Sequence, residues 1–428
     1  MSARVTNTKS ISATRRTVAF VESAGAMGGV QFSTLYLAQR LNRREWNPLV
    51  ICPEEGDLQW ECRSFGVEAR VLPPVSMRST SIRVGKRLRL PNPAAWIWNG
   101  LALSRAARRL KSVLIQNRPA LVVTKGLTAH FYGAVAARRL GIPCVWHAQD
   151  LISERSFGIY RKAFGLAARW LPKQIIVDGA SIAKQLPASL QSRITVILNG
   201  VDTDMFHPQI DGGPVRQELG IPKDDLVIGH LARLTPWKGQ HYLIEAFARI
   251  ADKHPNASLL LVGAPLFDND SYQRKLKGLV AQLGLENRVR FAGYRHDTPQ
   301  VLAAMDVFGF TSIEKDTSPL ALLSAMSCGL PIVAFDIAGA REVMANDDDF
   351  RLAPVEDVKA LSRALSDVIA DPKLRKDLGT AARRQALSEF SIDKCAEKIE
   401  EVFHIALEGP NVANASRVIS QVQQSVAS

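Results

Sequence analysis

Residues 226–239, Leu-Val-Ile-Gly-His-Leu-Ala-Arg-Leu-Thr-Pro-Trp-Lys-Gly, run from a short apolar segment into a loop that ends at a glycine. The apolar run at 226–229 predicts a buried strand, and apolar residues at helical spacing over 239–251 predict a helix after the loop. A strand, a loop and a helix in this order form the repeating unit of parallel sheets covered by helices on both faces. This stretch therefore predicts an α/β fold.

The same alternation continues on both sides of this stretch. After it, further strands are predicted at 258–262, 289–291, 307–310 and 331–334, and helices at 272–283, 298–305 and 320–327. Before it, strands are predicted at 17–21, 48–52, 121–124, 144–147, 175–177 and 195–197. The pattern predicts two Rossmann-like, doubly wound parallel-sheet domains that face each other across a cleft.

Prolines and glycines cluster at residues 199–224, and this cluster is the most convincing linker in the chain. From about residue 355 the pattern is helical only, and the last helix is predicted at 392–408. The predicted organisation is a flexible tail at 1–16, a first domain at 17–205, a second domain at 206–390, a helix at 391–409 that packs back toward the first domain, and a polar tail at 410–428.

The composition excludes several classes of protein. The 428 residues are 46% apolar and 22% charged, so a chain disordered throughout is excluded. No run approaches the ~18–20 apolar residues of a membrane-spanning helix, which excludes a polytopic membrane protein. The five cysteines are scattered without a Cys-x-x-Cys pair, so neither a structural zinc site nor a disulfide framework is expected. The polar N-terminus does not resemble an export signal, which makes the cytoplasm the expected location.

The positive charge lies in the first half of the chain. Residues 1–200 hold 29 Lys and Arg against 10 Asp and Glu, a net +19, whereas residues 201–428 hold 25 against 31, a net −6. The first half therefore favours an anionic partner, either nucleic acid or anionic lipid. Cations beside tryptophans at 78–111 are typical of a membrane-interface anchor, and a solvated loop and helix face is the equally supported alternative. These residues are Arg78, Arg83, Lys86, Arg87, Arg89, Trp96, Trp98, Arg105, Arg108, Arg109 and Lys111.

Two loops carry residues suited to a phosphorylated ligand. Gly25-Ala-Met-Gly28-Gly29 follows the first predicted strand, where glycines allow close backbone approach and the next helix offers free N–H groups. Its spacing does not match the G-x-G-x-x-G fingerprint, so a dinucleotide site is disfavoured, and a tight turn without a ligand is the alternative. Arg233 and Lys238 follow the strand at 226–229 and are placed to hold a diphosphate, unless they are ordinary surface cations.

A third segment, residues 314–331, follows the strand predicted at 307–310. The helix predicted at 319–327 points its N-terminal amides toward the strand end, beside the acid Asp316. An acid there is able to accept hydrogen bonds from sugar hydroxyls. The cleft between the two domains is the expected place for such a ligand.

Six short motifs occur in order between residues 199 and 331. They are Asn199-Gly-Val-Asp202, Arg233-x4-Lys238-Gly239, Leu259-Leu-Leu-Val-Gly263, Phe291-Ala-Gly293, Ala304-Met-Asp306 and Ala325-Met-x-Cys-Gly-Leu-Pro331. No single motif is decisive, but the ordered set closely resembles the retaining nucleotide-sugar glycosyltransferases of the GT-B fold, family 4, also called group 1. The resemblance is strongest over residues 195–345 and weaker but coherent over 17–195.

The resemblance implies roles for individual residues. Gly28 and Gly29 match the glycine loop beside the donor diphosphate and the acceptor. His147 matches a histidine that faces the donor sugar, although a lone histidine is also a common packing residue. Arg233 and Lys238 match the pair that holds the donor phosphates, and Asp316 matches the first acid of a Glu-x7-Glu pattern that contacts the donor sugar. The predicted catalytic residues are His147 and Asp316, and the predicted donor-binding residues are Gly28, Gly29, Arg233, Lys238, Ser318, Leu320 and Ser324.

Two positions depart from the family pattern. Asp316 is one methylene shorter than the family's glutamate, and Ser324 stands where a second glutamate usually holds the ribose hydroxyls. The loss of a charge-assisted hydrogen bond costs about 1.5–3 kcal/mol, on the order of 10–150-fold in nucleotide affinity. Glu314 is an alternative first acid, but it would spoil the spacing. A glycan-binding or scaffold protein that has lost turnover is therefore the alternative function.

Other chemistries are less well supported. Three Asp-x-Asp strings, at 202–204, 268–270 and 347–349, are compatible with a Mg²⁺ or Mn²⁺ site, but none follows an early strand. Because Arg233 and Lys238 already supply positive charge, neither a catalytic metal nor a cofactor is expected. A nucleotide-sugar epimerase would need paired carboxylates, one of which is missing at Ser324. Nucleic-acid binding is disfavoured because no recognised nucleic-acid module occurs.

The resemblance predicts the activity. It implies transfer of a sugar, with retention, from a nucleoside-diphosphate sugar to a hydroxyl acceptor. The expected acceptor is a glycan or a lipid-linked molecule of polysaccharide, lipopolysaccharide or glycolipid assembly. The implied mechanism is a front-face displacement assisted by the leaving phosphate. The basic first half adds the inner membrane face as an optional location beside the cytoplasm.

Overall fold

The computed structural model describes residues 15–84, 88–149, 159–265, 270–314, 316–344 and 349–409. The tails predicted at 1–16 and 410–428 lie outside these residues, except for Arg15 and Arg16. Four residues named in the sequence analysis also lie outside them, namely Lys86, Arg87, Asp268 and Asp347. Within the basic stretch at 78–111, no side chain between residues 81 and 91 is described.

The first domain is built on a seven-stranded parallel sheet. Its strands, in chain order, are β1 (Arg16–Glu22), β2 (Trp46–Cys52), β3 (Glu68–Val71), β6 (Leu121–Lys125), β7 (Cys144–Ala148), β8 (Gln174–Val177) and β9 (Ile194–Val196). They lie in the order β3-β2-β1-β6-β7-β8-β9. A separate antiparallel hairpin is formed by β4 (Ser81–Val84) and β5 (Leu88–Pro91). Strands β6 and β7 are buried along their whole length, as expected for a sheet with both faces covered.

The second domain is built on a six-stranded parallel sheet. Its strands are β10 (Leu226–Leu231), β11 (Ala257–Val262), β12 (Val289–Gly293), β13 (Val307–Phe310), β14 (Ile332–Phe335) and β15 (Arg351–Ala353). They lie in the order β12-β11-β10-β13-β14-β15. Strands β11 and β12 are thus added on one side of β10, and strands β13 to β15 on the other. Such a switch point leaves a crevice at the carboxyl ends of the two strands, where ligands bind in open α/β sheets.

Helices follow the strands in both domains. The first domain contains α1 (Gly29–Arg40), α2 (Asp57–Ser64), α3 (Pro93–Asn117), α4 (Leu127–Arg139), α5 (Ile159–Trp170) and α6 (Ala180–Ala183). The remaining helices are α7 (Gly213–Glu218), α8 (Gln240–Ala248), α9 (Ser271–Gln282), α10 (Thr298–Ala303), α11 (Leu320–Ser327), α12 (Ala338–Val343), α13 (Val358–Ala370), α14 (Pro372–Glu389) and α15 (Ile392–Glu408). No helix in the described ranges is both long enough and apolar enough to cross a membrane.

The last helix lies on the first domain. Helix α15 contacts α1, β7 and β8. The ring of Phe403 lies 5.5 Å from that of Trp46 and 6.4 Å from that of Phe20, centroid to centroid. The chain entering α15 also pairs with the linker, since the Ile392 N–H donates to the Val201 carbonyl at 2.8 Å. The second domain is thus flanked by two chain segments, the linker and the start of α15, that run beside each other.

The predicted fold class, two doubly wound parallel-sheet domains, is confirmed. The sequence analysis missed β3, the β4–β5 hairpin and β15, and it placed the end of α8 three residues too late, at 251 instead of Ala248. The missed strands are short, and β3 is an edge strand with half of its residues exposed. Short edge strands lack the continuous apolar run that identifies a buried parallel strand.

Candidate functional site

Two loops meet at the switch point of the second sheet. Lys238, from the loop after β10, donates a hydrogen bond from its ammonium to the carboxylate of Asp316, from the loop after β13. The Ser312 hydroxyl donates to the same carboxylate oxygen at 2.6 Å. The Thr311 hydroxyl also donates to the Lys238 carbonyl, at 3.1 Å. The predicted phosphate-binding lysine and the predicted sugar-binding acid are therefore in direct contact.

Glycines permit this close approach of loops. Gly239 has a φ of +69°, and a Cβ built there would lie 2.0 Å from the carbonyl oxygen of Thr311. Gly339, at the start of α12, lies against the loop from the other side, where an added Cβ would be 1.7 Å from the Asp316 carbonyl oxygen. A side chain at either position would push the 311–316 loop away. Glycine is therefore required on both sides of Asp316.

The two predicted phosphate ligands have different environments. The side chain of Lys238 is only 13% exposed. Burial lowers the pKa of Lys238, and the neighbouring Asp316 carboxylate opposes that shift. Arg233 is exposed, and its guanidinium makes no hydrogen bond or ion pair with any residue that the structure describes. The site therefore presents one unpaired cation and one cation held by an acid.

A cavity of about 260 Å³ opens beside Asp316, between the two domains. It is lined by Ser181, Ile313, Glu314, Asp316, Thr317, Ile337, Ala338 and Gly339. Ser181 comes from the first domain and the others come from the second. The volume is slightly below the ~300–1,000 Å³ of typical small-molecule sites, so the cavity suits one part of a larger ligand.

The predicted donor-binding residues on α11 differ in accessibility. Leu320 is the first residue of the helix, four positions after Asp316, and is partly buried. Ser318 is 1% exposed and has a φ of 45°, in the left-handed region. Ser324 lies in the second turn and is 5% exposed. Of these three residues, Ser318 is the one whose side chain hydrogen-bonds to the first domain among the described residues.

His147 lies at the carboxyl end of β7, in a polar setting. Its Nε2 is 2.8 Å from the carboxylate of Asp178, which follows β8, and the imidazole is 3% exposed. Burial lowers the pKa of His147, and the nearby Lys125 ammonium lowers it further, against the effect of Asp178. The imidazole is therefore neutral near pH 7. Its Nδ1 is also buried and has no hydrogen-bond partner among the described residues.

A buried polar network connects His147 to the Asp316 loop. The Gln149 amide donates to Asp178 at 2.6 Å and to the side-chain oxygen of Asn199 at 3.1 Å. The Asn199 amide donates to Asp178 at 3.1 Å and to the Ser318 carbonyl at 2.9 Å. The network therefore crosses from the first domain to the second and ends two residues from Asp316.

The glycine loop lies at the start of α1. Gly28 is the N-cap of the helix, and a Cβ built on Gly29 would have no neighbour within 4 Å. No side chain caps the helix, so the N–H groups of its first turn lack an intrahelical partner. Below the loop, the Glu22 carboxylate accepts hydrogen bonds from Thr34 and from Gln31, and burial raises the pKa of Glu22 to about 7. The glycine loop therefore lies beside a buried polar cluster around Glu22.

The first Asp-x-Asp string has a structural role. The Asp202 carboxylate accepts from the guanidinium of Arg40 at 2.8 Å and from the N–H groups of Asp204 and Met205 at 3.0 Å each. It therefore caps a turn of the linker. The other two strings include residues outside the described part of the chain. Within that part, no group of three or more His, Cys, Asp or Glu side chains is placed to hold a metal ion.

Two family models match the chain. Residues 27–205 match Glycosyltransferase Family 4, and residues 214–385 match Glycosyl transferases group 1. The chain belongs to the group 1, family 4 glycosyltransferases. The two matched regions leave residues 206–213 between them, within the linker predicted at 199–224.

Individual relatives of this glycosyltransferase are distant in sequence. The UDP-Gal:alpha-D-GlcNAc-diphosphoundecaprenol alpha-1,3-galactosyltransferase of Escherichia coli is 27% identical over 403 residues, which cover 90% of this chain and 96% of the relative. The D-inositol 3-phosphate glycosyltransferase of Stackebrandtia nassauensis is 28% identical over 266 residues, 58% of this chain and 60% of the relative.

Solved structures share the fold of the glycosyltransferase. The crystal structure of Anabaena Alr3699/HepE in complex with UDP and glucose has a TM-score of 0.75 at 24% identity, and the match covers 91% of this chain and 99% of that one. WaaG, a glycosyltransferase involved in lipopolysaccharide biosynthesis, has a TM-score of 0.64 at 18% identity, over 90% and 99% of the two chains. The architecture is the GT-B fold.

The structure adds residues to the site that the sequence analysis of this glycosyltransferase did not assign. They are Gln149, Asp178, Ser312 and Glu342, together with Asn199, which was noted only as part of a motif. Asp178 and Gln149 directly follow buried strands, a signal that was available in the sequence. Glu342 accepts from the N–H groups of Ala180 and Ser181 at 3.1 and 3.3 Å, across the domain boundary, and no local pattern indicates that pairing.

Proposed function

We propose that this glycosyltransferase moves a sugar from a nucleoside-diphosphate sugar to a hydroxyl acceptor, with retention and without a catalytic metal. The observation that carries the proposal is the contact between Lys238 and Asp316 at the switch point, beside a cavity between the domains. A cation for the diphosphate and an acid for the sugar hydroxyls lie side by side, as the donor requires. The UDP and glucose named for HepE, and the UDP-Gal named for the Escherichia coli relative, support the same donor class.

The proposed roles follow from the charges at the site. Arg233 and Lys238 bind the donor diphosphate and stabilise the charge that develops on it as the bond to the sugar breaks. Asp316 accepts hydrogen bonds from the sugar, and the neutral His147 contacts the same ligand once its Nδ1, which is buried and without a partner among the described residues, becomes accessible. Because two cations supply the charge compensation, a divalent ion is not needed for that role.

The retaining step is proposed as a front-face displacement. The bond from the anomeric carbon to the phosphate oxygen breaks, and a bond to the acceptor oxygen forms on the same face. The acceptor proton passes to the leaving phosphate oxygen. The Asp316 carboxylate is engaged by Lys238 and Ser312, which makes it a poor nucleophile and favours this route over a covalent intermediate.

The proposed acceptor is a glycan or a lipid-linked molecule, met at an anionic membrane surface. Helix α3 carries no acidic residue along its 25 positions. Ile97 and Leu101 are 69% and 49% exposed, and Arg105 and Arg108 continue the same exposed face at spacings of four and three. These arginines form no ion pair with any described residue. An apolar end followed by unpaired cations suits the interface of an anionic bilayer.

Titration of the purified protein with UDP, GDP, ADP and TDP, with and without Mg²⁺, tests the donor site. We expect one diphosphate to bind regardless of metal, and Arg233→Ala and Lys238→Ala each to weaken that binding strongly. Unchanged affinity in both variants would reject the site. If none of the four binds, the scaffold alternative is favoured. NMR of the product from a competent donor then gives the anomeric configuration, and inversion would reject the retaining step.

Vesicle flotation tests the membrane surface separately. We expect binding to phosphatidylcholine vesicles that contain phosphatidylglycerol and none to phosphatidylcholine alone, with Leu101→Glu abolishing it. Leu387 is a matched control, because it is 46% exposed on α14 of the other domain, so Leu387→Glu should bind as the wild type does. Equal loss in both variants, or no dependence on the anionic lipid, contradicts the assignment of α3.

A further inference from the structure

We infer that Asn199 is a positioning residue for donor-sugar recognition: from the first domain, it holds the 316–318 loop of the second domain in place. The inference rests on the proposed donor site and adds a residue that the proposal does not need for diphosphate binding. Asn199 itself touches neither Lys238 nor Asp316. It acts through Ser318.

Asn199 uses its backbone and its side chain on the same partner. Its N–H donates to the Ser318 hydroxyl at 2.6 Å, and its side-chain amide donates to the Ser318 carbonyl at 2.9 Å. Both residues are buried, Asn199 at 8% exposure and Ser318 at 1%. The two residues are 119 positions apart in the chain. Ser318 is therefore attached at its side chain and at its main chain to the end of the first domain.

The backbone of Ser318 needs this attachment. A φ of 45° places Ser318 in the left-handed region, which residues with a side chain rarely adopt. Contacts that fix the hydroxyl and the carbonyl oppose relaxation of that conformation. The neighbouring Thr317 is held as well, because its hydroxyl donates to the Gln149 carbonyl at 3.1 Å. Two successive residues after Asp316 are thus tied to the first domain.

The remaining hydrogen-bond capacity of Asn199 is directed to the His147 side of the cleft. Its amide nitrogen also donates to Asp178 at 3.1 Å, and its amide oxygen accepts from Gln149 at 3.1 Å. Asp178 is the residue that holds His147 at 2.8 Å. Asn199 therefore lies between the two predicted catalytic residues and sets the position of one relative to the other.

An asparagine side chain is required by this arrangement. Its NH₂ group donates to two acceptors while its oxygen accepts from a third group, and no other side chain of that size does both. Aspartate would lose both donors and place a second carboxylate against Asp178. Alanine would leave the Ser318 carbonyl and Asp178 short of a donor, and the loop that carries Asp316 would keep only the contacts of the Ser318 and Thr317 hydroxyls with the first domain.

The inference predicts a split between diphosphate and sugar recognition. In Asn199→Ala and Asn199→Asp, we expect the affinity for the free nucleoside diphosphate to stay within about 2-fold, because Arg233 and Lys238 are on other loops. For the nucleotide sugar, we expect kcat/KM to fall by about 10–100-fold, as for the loss of the two hydrogen bonds that the Asn199 NH₂ group donates. A purely structural role of Asn199 would weaken both ligands together.

Asn99 provides a matched control. It is 6% exposed, and like Asn199 it holds a loop by two hydrogen bonds, to the N–H and the carbonyl of Arg78 at 2.8 and 3.0 Å. Asn99→Ala should leave both ligands unchanged. Ser318→Ala, which removes one of the two contacts and leaves Asn199 in place, gives a smaller loss in the same direction and serves if the Asn199 variants do not fold.

The outcomes separate this inference from the donor site itself. If Arg233→Ala does not weaken the diphosphate, the proposed donor site is wrong whatever Asn199 does. If Arg233→Ala weakens it, and the Asn199 and Ser318 variants leave kcat/KM unchanged or weaken the free diphosphate equally, the positioning role of Asn199 is rejected.

Discussion

Lys238 and Asp316 bind each other in the structure, although each is assigned to a different part of the donor. The substitution Asp316→Asn tests whether the acid and the diphosphate compete for Lys238. In the wild type, the Lys238 ammonium donates to Asp316, and the diphosphate must compete for it. The asparagine removes a negative charge from the side of the phosphates and releases the lysine. We therefore expect opposite effects on the free diphosphate and on the nucleotide sugar.

The magnitudes follow from the contacts. The hydrogen bond of Lys238 to Asp316 competes with the diphosphate, and its loss is worth about 0.5–1.5 kcal/mol, so Asp316→Asn should tighten binding of the free diphosphate by about 2–12-fold. Lys238→Met removes a charge-assisted contact and should weaken it by about 10–150-fold. With both side chains just over a tenth exposed, at 13% and 11%, Lys238→Met should also lower the free energy of unfolding by about 3 kcal/mol.

A double-mutant cycle measured by calorimetry and by chemical denaturation is the assay. In the Lys238→Met background, Asp316→Asn should no longer tighten diphosphate binding, which gives a coupling energy of about 0.5–1.5 kcal/mol. Turnover of the nucleotide sugar should fall in every variant. Additive effects, or weaker diphosphate binding in Asp316→Asn alone, would refute the view that the acid and the diphosphate share one lysine.

Three further predictions concern single positions. Burial raises the pKa of Glu22 to about 7 from its ordinary value of 4.5, so between these two pH values the folded state keeps a proton that the unfolded state releases. The free energy of unfolding should therefore fall by about 3 kcal/mol as the pH rises from 4.5 to about 7. Glu22→Gln should remove this difference in denaturation at pH 5 and pH 8, and an unaltered difference would contradict it. Ser324→Glu introduces a carboxylate at the position predicted to hold the ribose and should tighten nucleoside-diphosphate binding about 10-fold or more; no gain in a folded variant means that the ribose is held differently. Gly239→Ala should lower the melting temperature and weaken binding of the diphosphate. Gly284→Ala, at a similar φ of +66° but in open space, should cost only the backbone strain and leave diphosphate binding unchanged. Equal effects of the two substitutions would mean that the close approach of Gly239 to Thr311 is unimportant.

Part of the candidate site could be predicted without coordinates. Arg233, Lys238 and Asp316 follow apolar runs of strand length, and in a parallel sheet such positions gather at one edge. The structure places these loops side by side because their strands, β10 and β13, are neighbours. The roles of the residues toward a donor remain predictions, as do the membrane surface and the domain boundaries.

Other parts of the site could not be predicted from local patterns. The pairing of Asn199 with Ser318, and of Glu342 with the start of α6, joins residues 119 and about 160 positions apart. Each is an ordinary polar residue in its own segment. Neither spacing nor hydropathy indicates which polar group on the other domain will satisfy it, because that depends on how two separately folded domains meet.

The sequence by itself determined the class of fold, because buried parallel strands are apolar along their whole length and helices carry a periodic apolar face, and both signals are local. It also determined which loops carry cations and acids. Only the tertiary structure decided that Lys238 is held by Asp316, that Asp202 caps a turn, and that Asn199 connects the two domains. Hydrogen bonds and ion pairs depend on distances of about 3 Å, and such distances between remote residues are set by packing.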